Sequence, residues 1–214
     1  MPKHIGIFGG TFDPVHYGHT ETIRSLLEII PFDEIRVIPN GVPPHRESLE
    51  ASTEDRLSMV TIAFSSLDNI IIDDREILRE GPSYAIDTAK EVIELYQEDC
   101  SVNWIMGTDA FSSIDLWYKW REFLDLVNIV VMTRPDVELP KASIANAILR
   151  EREIKEHTKF FSSKKGKILF VKVQPVNVSS TKVRESLFLG KEVNKMIFSE
   201  VKSYIKLEKL YLKD

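Results

Sequence analysis

The chain has 214 residues, 43% of them hydrophobic and 29% charged, with a formal net charge of −5 and an isoelectric point near 5.6. That length suits one domain, or one domain with a sizeable insertion, and the acidic balance argues against a general nucleic-acid binder, which needs a basic face. Cys100 is the only cysteine, which excludes an internal disulfide and a thiolate metal cluster. No apolar stretch approaches the ~20 residues of a membrane span, and Met1–His4 leaves no room for a signal peptide before the first strand, so a cytoplasmic protein without membrane contact is expected.

Strand-like and helix-like segments alternate along the chain. Ile5–Phe8 reads as the first strand. Ile23, Leu26, Leu27 and Ile30 then recur at helical spacing, and Pro31 ends that helix. Glu34–Ile38 is the second strand, followed by a proline-rich loop from Pro39 to Arg46. Ser52 with Asp55 three residues later marks the next helix start, whose buried face carries Met59, Val60, Ala63 and Phe64. Asn69–Ile72 is the third strand. Ala85, Ala89, Val92 and Tyr96 form one stripe of a further helix, and Val102–Met106 is the fourth strand, ended by Gly107-Thr108-Asp109. Leu126–Met132 is a buried fifth strand, and Ile168–Val173 a sixth. Between them, residues 134–167 are patterned loosely and read as a lid or surface insertion, with a charged helix at Glu151–Glu156. Ser179–Gly190 and Val193–Ile205 read as closing helices within 179–214. The alternation predicts a single α/β domain over residues 1–214: a Rossmann-like, doubly wound parallel sheet in a three-layer α/β/α arrangement.

The most telling segment is Gly9-Gly10-Thr11-Phe12-Asp13-Pro14-Val15-His16-Tyr17-Gly18-His19, directly after the first strand. A strand, a glycine turn and a helix start make an anion site, because no Cβ blocks the approach and the first helical N–H groups are unpaired. His16 and His19 are three apart, so both rings project from one face near the helix start. Either imidazole alone would be an ordinary cap or core residue; beside the double glycine they suggest phosphoryl or nucleotidyl chemistry. Neither G-x-G-x-x-G nor G-x-x-x-x-G-K-[ST] occurs, which argues against a dehydrogenase or a P-loop ATPase. A second element, Ser179-Ser180-Thr181-Lys182-Val183-Arg184, follows the last strand. Hydroxyls there can cap a helix, and Arg184 one turn on suits a polyphosphate tail.

These two motifs together resemble the nucleotidyltransferase superfamily of adenylyltransferases. Arg79 to Thr88, Gly107-Thr108-Asp109 with Trp117 and Trp120, and Pro43-Pro44-His45-Arg46 resemble more narrowly the bacterial nicotinate-mononucleotide adenylyltransferases. The resemblance runs in order from residue 5 to about residue 190. Small departures are Val178, where that family usually has Ile, and Ala85, where Thr is common.

The resemblance implies in-line attack of the nicotinate mononucleotide phosphate on the α-phosphorus of ATP, giving nicotinate adenine dinucleotide and pyrophosphate. Mg²⁺ would accompany the triphosphate, with no residue of the chain assigned as its ligand. It implies that Gly9, Gly10, Thr11 and Phe12 line the nucleotide and phosphate turn, that His16 and His19 hydrogen-bond ATP phosphates, and that Gly107 and Asp109 meet ribose or the metal-bound nucleotide. Ser179, Ser180, Thr181 and Arg184 would hold the leaving pyrophosphate and the adenine side, with His16, His19 and Arg184 the catalytic set. Asn40, Arg46, Tyr84, Thr88, Trp117 and Arg134 would bind the mononucleotide, the Trp117 indole stacking on its ring. Trp117 and Trp120, three apart, are expected to face one way on a helix. Competing readings are a sister transferase acting on nicotinamide mononucleotide or pantetheine phosphate, a non-catalytic nucleotide-binding protein, and a fragment of aminoacyl-tRNA-synthetase type. The last lacks a basic surface for tRNA. Oligomeric state stays open.

Overall fold

The computed structural model describes residues 3–42, 49–96, 100–133, 142–174 and 176–212. It has six strands: β1 (Lys3–Gly10), β2 (Glu34–Pro39), β3 (Ile70–Ile72), β4 (Cys100–Gly107), β5 (Asn128–Thr133) and β6 (Ile168–Lys172). All pair in parallel, in the order β3-β2-β1-β4-β5-β6. This is the doubly wound order, and its direction reverses between β1 and β4.

The strands are apolar on both faces because both are covered. Phe8, Val37, Ile105, Val130 and Leu169 point into one core, packed by α1 (Tyr17–Ile29), α2 (Thr53–Phe64), α8 (His157–Phe161), α9 (Ser180–Phe188) and α10 (Ser199–Leu207). Their strand neighbours Ile7, Ile38, Trp104, Met106, Ile129 and Val131 point into the other core. That core is covered by α4 (Ala85–Leu95), α5 (Thr108–Ser112), α6 (Trp120–Leu126) and α7 (Ile144–Arg152). The period of two thus builds three layers. A further single turn, α3 (Arg75–Leu78), follows β3.

Several boundaries differ from the expectation. The fifth strand begins at Asn128, because Leu126 completes α6 and Val127 is its cap. The last helix begins only at Ser199, not Val193. Of the loosely patterned stretch 134–167, residues 142–167 are described, and they carry the crossover: α7 runs from β5 toward β6, Arg152 donates to the Leu124 carbonyl at 2.9 Å, and the Ile154 N–H bonds the Ile168 carbonyl at 2.8 Å. The charges from Glu151 to Glu156 lie at the end of that crossover, and apolar residues such as Ile148 and Phe160 anchor it in the two cores.

Candidate active site

A two-lobed cleft opens beyond the carboxyl ends of β1 and β4, at the point where the strand order reverses. One lobe, about 300 Å³, is lined by His16, Gly18, His19, Gln174 and Ser179. The other, about 590 Å³, is lined by Gly9, Gly10, Thr11, Asn40, Tyr84, Trp104 and Trp117. Phe8 at the end of β1 and Gly107 at the end of β4 belong to both walls. A Cβ added to Gly107 would meet no atom within 4 Å, so this residue leaves the junction of the lobes open.

The smaller lobe is built around the two imidazoles. His16 is the extended N-cap of α1, and His19 stands in its first turn. The His16 N–H donates to His19 Nδ1 at 3.2 Å, so the neutral His19 ring carries its proton on Nε2. The rings stack at 3.8 Å, with the Phe12 ring edge-on to His19 at 4.9 Å. Gly18 is required between them, because a Cβ there would come within 2.8 Å of two His16 ring atoms. Burial pushes the His16 imidazole down to about 4, and burial together with the neighbouring His16 holds His19 well below its ordinary 6.5. Both rings are therefore neutral at pH 7, and each keeps a hydrogen-bond donor. His16 Nδ1 is buried with no hydrogen-bond partner among the described residues. Ser179, the N-cap of α9, brings a second helix start to the same lobe.

The larger lobe is aromatic. Trp104 and Trp117 meet edge-on at 6.2 Å, Tyr84 and Tyr118 lie 4.5 Å apart, and Ser83, Tyr84 and Ala85 bring the N-terminus of α4 to the wall. Unpaired N–H groups at such a helix start favour an anionic group. The loops beneath are locked together: the Asn40 N–H bonds the Gly10 carbonyl at 2.9 Å, and the Gly41 N–H bonds Ser83 Oγ at 3.0 Å.

The predicted residues divide clearly. The structure brings His16, His19, Gly107 and Ser179 to the smaller lobe, and Gly9, Gly10, Thr11, Asn40, Tyr84 and Trp117 to the larger one. The glycine turn therefore lines the aromatic lobe and not the histidine lobe. Phe12 does not line the cleft; its ring is 2% exposed and packs beneath His19, while Phe8 takes the wall position. Thr88 is fully buried, its hydroxyl donating to Glu76 Oε1 at 2.6 Å and accepting from Arg79. Arg184 turns away from both lobes, donating to the Asp13 carbonyl at 2.6 Å and pairing with Glu50 at 2.7 Å. Ser180 Oγ donates to the Pro14 carbonyl at 2.9 Å, and Thr181 and Asp109 are exposed outside the cleft walls. Trp117 and Trp120 do not share a helix, because Lys119 between them adopts a left-handed φ of 50° and α6 starts only at Trp120. Arg46 and Arg134 lie outside the described residues.

Among the wall and support residues that were not foreseen, besides Phe8, Gln174 and Tyr118, Trp104, Glu76 and Arg56 bear most on the site. Trp104 looks like one more apolar position of a buried strand, so its place in the aromatic wall carries no local signal. Glu76, 3% exposed, lines the larger lobe; burial pushes its carboxyl above the usual range. Arg56 reads as a solvent-facing helix charge, yet it is fully buried and donates to the carbonyls of Thr11 (2.8 Å), Asn40 (2.7 Å) and Gly41 (3.2 Å). It ties the ends of β1 and β2 together under the cleft.

Residues 7–186 match the model of the cytidylyltransferase-like family. A Pseudomonas aeruginosa protein named as a probable nicotinate-nucleotide adenylyltransferase is 36% identical over 211 residues, 99% of this chain and 98% of the relative. A Pseudomonas entomophila protein of the same name is 37% identical over 210 residues, 98% and 95% of the two chains. The fold is similar to that of a Plasmodium falciparum nicotinic acid mononucleotide adenylyltransferase in complex with NaAD, with a TM-score of 0.75 over 98% of this chain and 97% of the other at 20% identity. A family model across most of the chain, and relatives of this identity along its whole length, show that the chain belongs to the cytidylyltransferase-like family and, within it, to the nicotinate-nucleotide adenylyltransferases.

Proposed function

We propose that the chain transfers the adenylyl group of ATP to nicotinate mononucleotide, releasing pyrophosphate and forming nicotinate adenine dinucleotide. The observation that carries this reading is the shared wall of the two lobes at Phe8 and Gly107. Two ligands seated one in each lobe meet at that junction, with the paired imidazoles on one side and flat aromatic walls on the other.

In this reading ATP occupies the histidine lobe and the mononucleotide the aromatic lobe. An oxygen of the mononucleotide phosphate attacks the α-phosphorus, and the bond from that phosphorus to the β-bridging oxygen breaks with pyrophosphate leaving. The substrate phosphate is itself the nucleophile, so the protein's task is positioning and charge stabilisation. His19, neutral with its proton on Nε2, donates to phosphate oxygens, and His16 beside it does the same as charge develops. Gly9, Gly10 and Thr11 line the lobe given to the mononucleotide, so the phosphate they meet is the one that attacks. The Trp117 indole stacks on the pyridine ring, and the N-terminus of α4 favours a carboxylate over an uncharged amide. Arg184 acts in this reading on the loop around Asp13 rather than on phosphate. No three His, Cys, Asp or Glu side chains stand together as a metal cage among the described residues. A Mg²⁺ ion brought by ATP would supply charge neutralisation at the phosphate oxygens. No described helix is long and apolar enough to cross a membrane.

The test is pyrophosphate release with ATP and Mg²⁺, offering nicotinate mononucleotide, nicotinamide mononucleotide and pantetheine phosphate in parallel. Turnover on the first well above the other two is expected. Preference for the amide would overturn the role given to α4, and silence on all three would overturn the reading.

A further inference from the structure

Asp13 lies in the turn between β1 and α1, three residues before His16, and is 2% exposed. Its carboxylate takes three donors. The Glu50 N–H reaches Oδ2 at 3.1 Å, and the Ala51 N–H (3.2 Å) and the Tyr211 hydroxyl (2.6 Å) reach Oδ1. Tyr211 comes from the segment after α10, 198 positions along the chain, and is itself 8% exposed. It lines neither lobe. The same segment of chain from Asp13 to Tyr17 is held at other points by the C-terminal part of the chain. Arg184 bonds the Asp13 carbonyl, Ser180 the Pro14 carbonyl, and the Tyr17 N–H bonds the Met196 carbonyl at 2.8 Å.

A buried ring alone could be supplied by phenylalanine; a buried hydroxyl costs desolvation unless it finds a partner. Here the partner is a carboxylate within the motif that carries both imidazoles, and among the described residues Tyr211 is the one side chain that donates to it, the other two donors being backbone N–H groups. We propose that Tyr211 is a positioning residue for adenylyl transfer: its hydroxyl holds Asp13, and through Asp13 the turn that aims His16 and His19 into the cleft. Tyr204, on α10, makes the matching bond to Asp55 Oδ1 at 2.9 Å, but Asp55 belongs to the start of α2 and not to the histidine turn. It is the internal control.

This proposal rests on the adenylyl-transfer reading, and its test separates the two. Y211F, Y204F, D13N and the Y211F/D13N pair are compared with the wild-type chain. Turnover is followed with ATP and nicotinate mononucleotide, and the imidazole resonances of ¹³C-labelled histidines are recorded without substrates. A misplaced catalytic group costs up to about 100-fold; Y211F is expected to lower kcat roughly 10-fold or more, with KM for the mononucleotide little changed. Its melting temperature should be no lower than that of Y204F, whose kcat stays at the wild-type level. In D13N the amide oxygen still accepts on one side while the NH2 faces a donor on the other, so the cluster is disturbed in both variants and the pair should lose less than the two single losses combined. The His16 and His19 resonances should shift in Y211F and not in Y204F. Wild-type kcat with unshifted resonances in Y211F would overturn the proposal, as would equal kcat losses in Y211F and Y204F that follow their melting temperatures. If the wild-type chain shows no transfer, the functional reading falls and the resonances alone decide whether Tyr211 sets the histidine turn.

Discussion

Acidification should unfold this protein through the stacked histidines. Burial holds the folded His16 at about 4 against an ordinary 6.5, so between those values the unfolded chain binds a proton that the fold excludes. The sign follows: stability is complete above pH 6.5 and is lost as pH falls toward 4. Applying the linkage relation to these two values, His16 alone removes about 2 kcal/mol between pH 7 and pH 5. The perturbation is His16→Asn, which places a strong N-cap side chain at the start of α1 and removes the titrating ring. Urea unfolding at pH 7, 6 and 5 is the assay. Wild type should lose about 2 kcal/mol more than the variant over that range. His19 loses its neighbouring imidazole in the variant, so the divergence of the two curves reads the histidine pair and not His16 alone. Parallel curves would refute the claim that the histidine pair is buried and uncharged.

Other expectations follow from the cleft geometry. His19→Ala should lower turnover about 10²-fold or more, as loss of a transition-state donor does, in a protein that still unfolds cooperatively though it loses the acceptor of the His16 N–H and the Phe12 contact; near-normal turnover would remove the role given to Nε2. Trp117→Ala should raise KM for the mononucleotide more than for ATP, and equal rises would point to general damage rather than a lost stacking wall. Gly107→Ala should fold normally, since its φ is −80° and its Cβ meets nothing, yet lower kcat about tenfold by intruding between the lobes. An unchanged kcat would put the reacting atoms elsewhere. Arg56→Ala should cost at least about 3 kcal/mol in urea unfolding, because three carbonyls lose a buried charged donor. A variant as stable as wild type would show that those loops hold themselves.

The parts of the molecule legible in the sequence are those governed by local periodicity and short motifs. Apolar runs such as Ile5–Phe8 and Ile168–Val173 mark strands because both sheet faces are covered, and Ser52 with Asp55 marks a helix start because the cap bond is local. The histidine pair was legible for the same reason: its spacing and its glycine are conditions of one helix turn. What was not legible depends on contacts between distant segments. Arg56 looks solvated until the Thr11 and Asn40 loops are seen folded over it. Arg184 suits phosphate by type, but Glu50 and the Asp13 carbonyl hold its Nε and Nη1. Thr88 is drawn off the wall by Glu76, twelve residues before it. The spacing of Trp117 and Trp120 misleads because one left-handed residue, Lys119, breaks the helical register between them.

The central claim is that one cleft joins two nucleotides by breaking ATP at its α-phosphorus. The most direct measurement supplies ATP labelled with ³²P at that position, together with nicotinate mononucleotide, and follows where the label goes. The account predicts label in nicotinate adenine dinucleotide and unlabelled pyrophosphate in equal amount. Label remaining in ATP, or appearing in AMP or ADP without the dinucleotide, would contradict it.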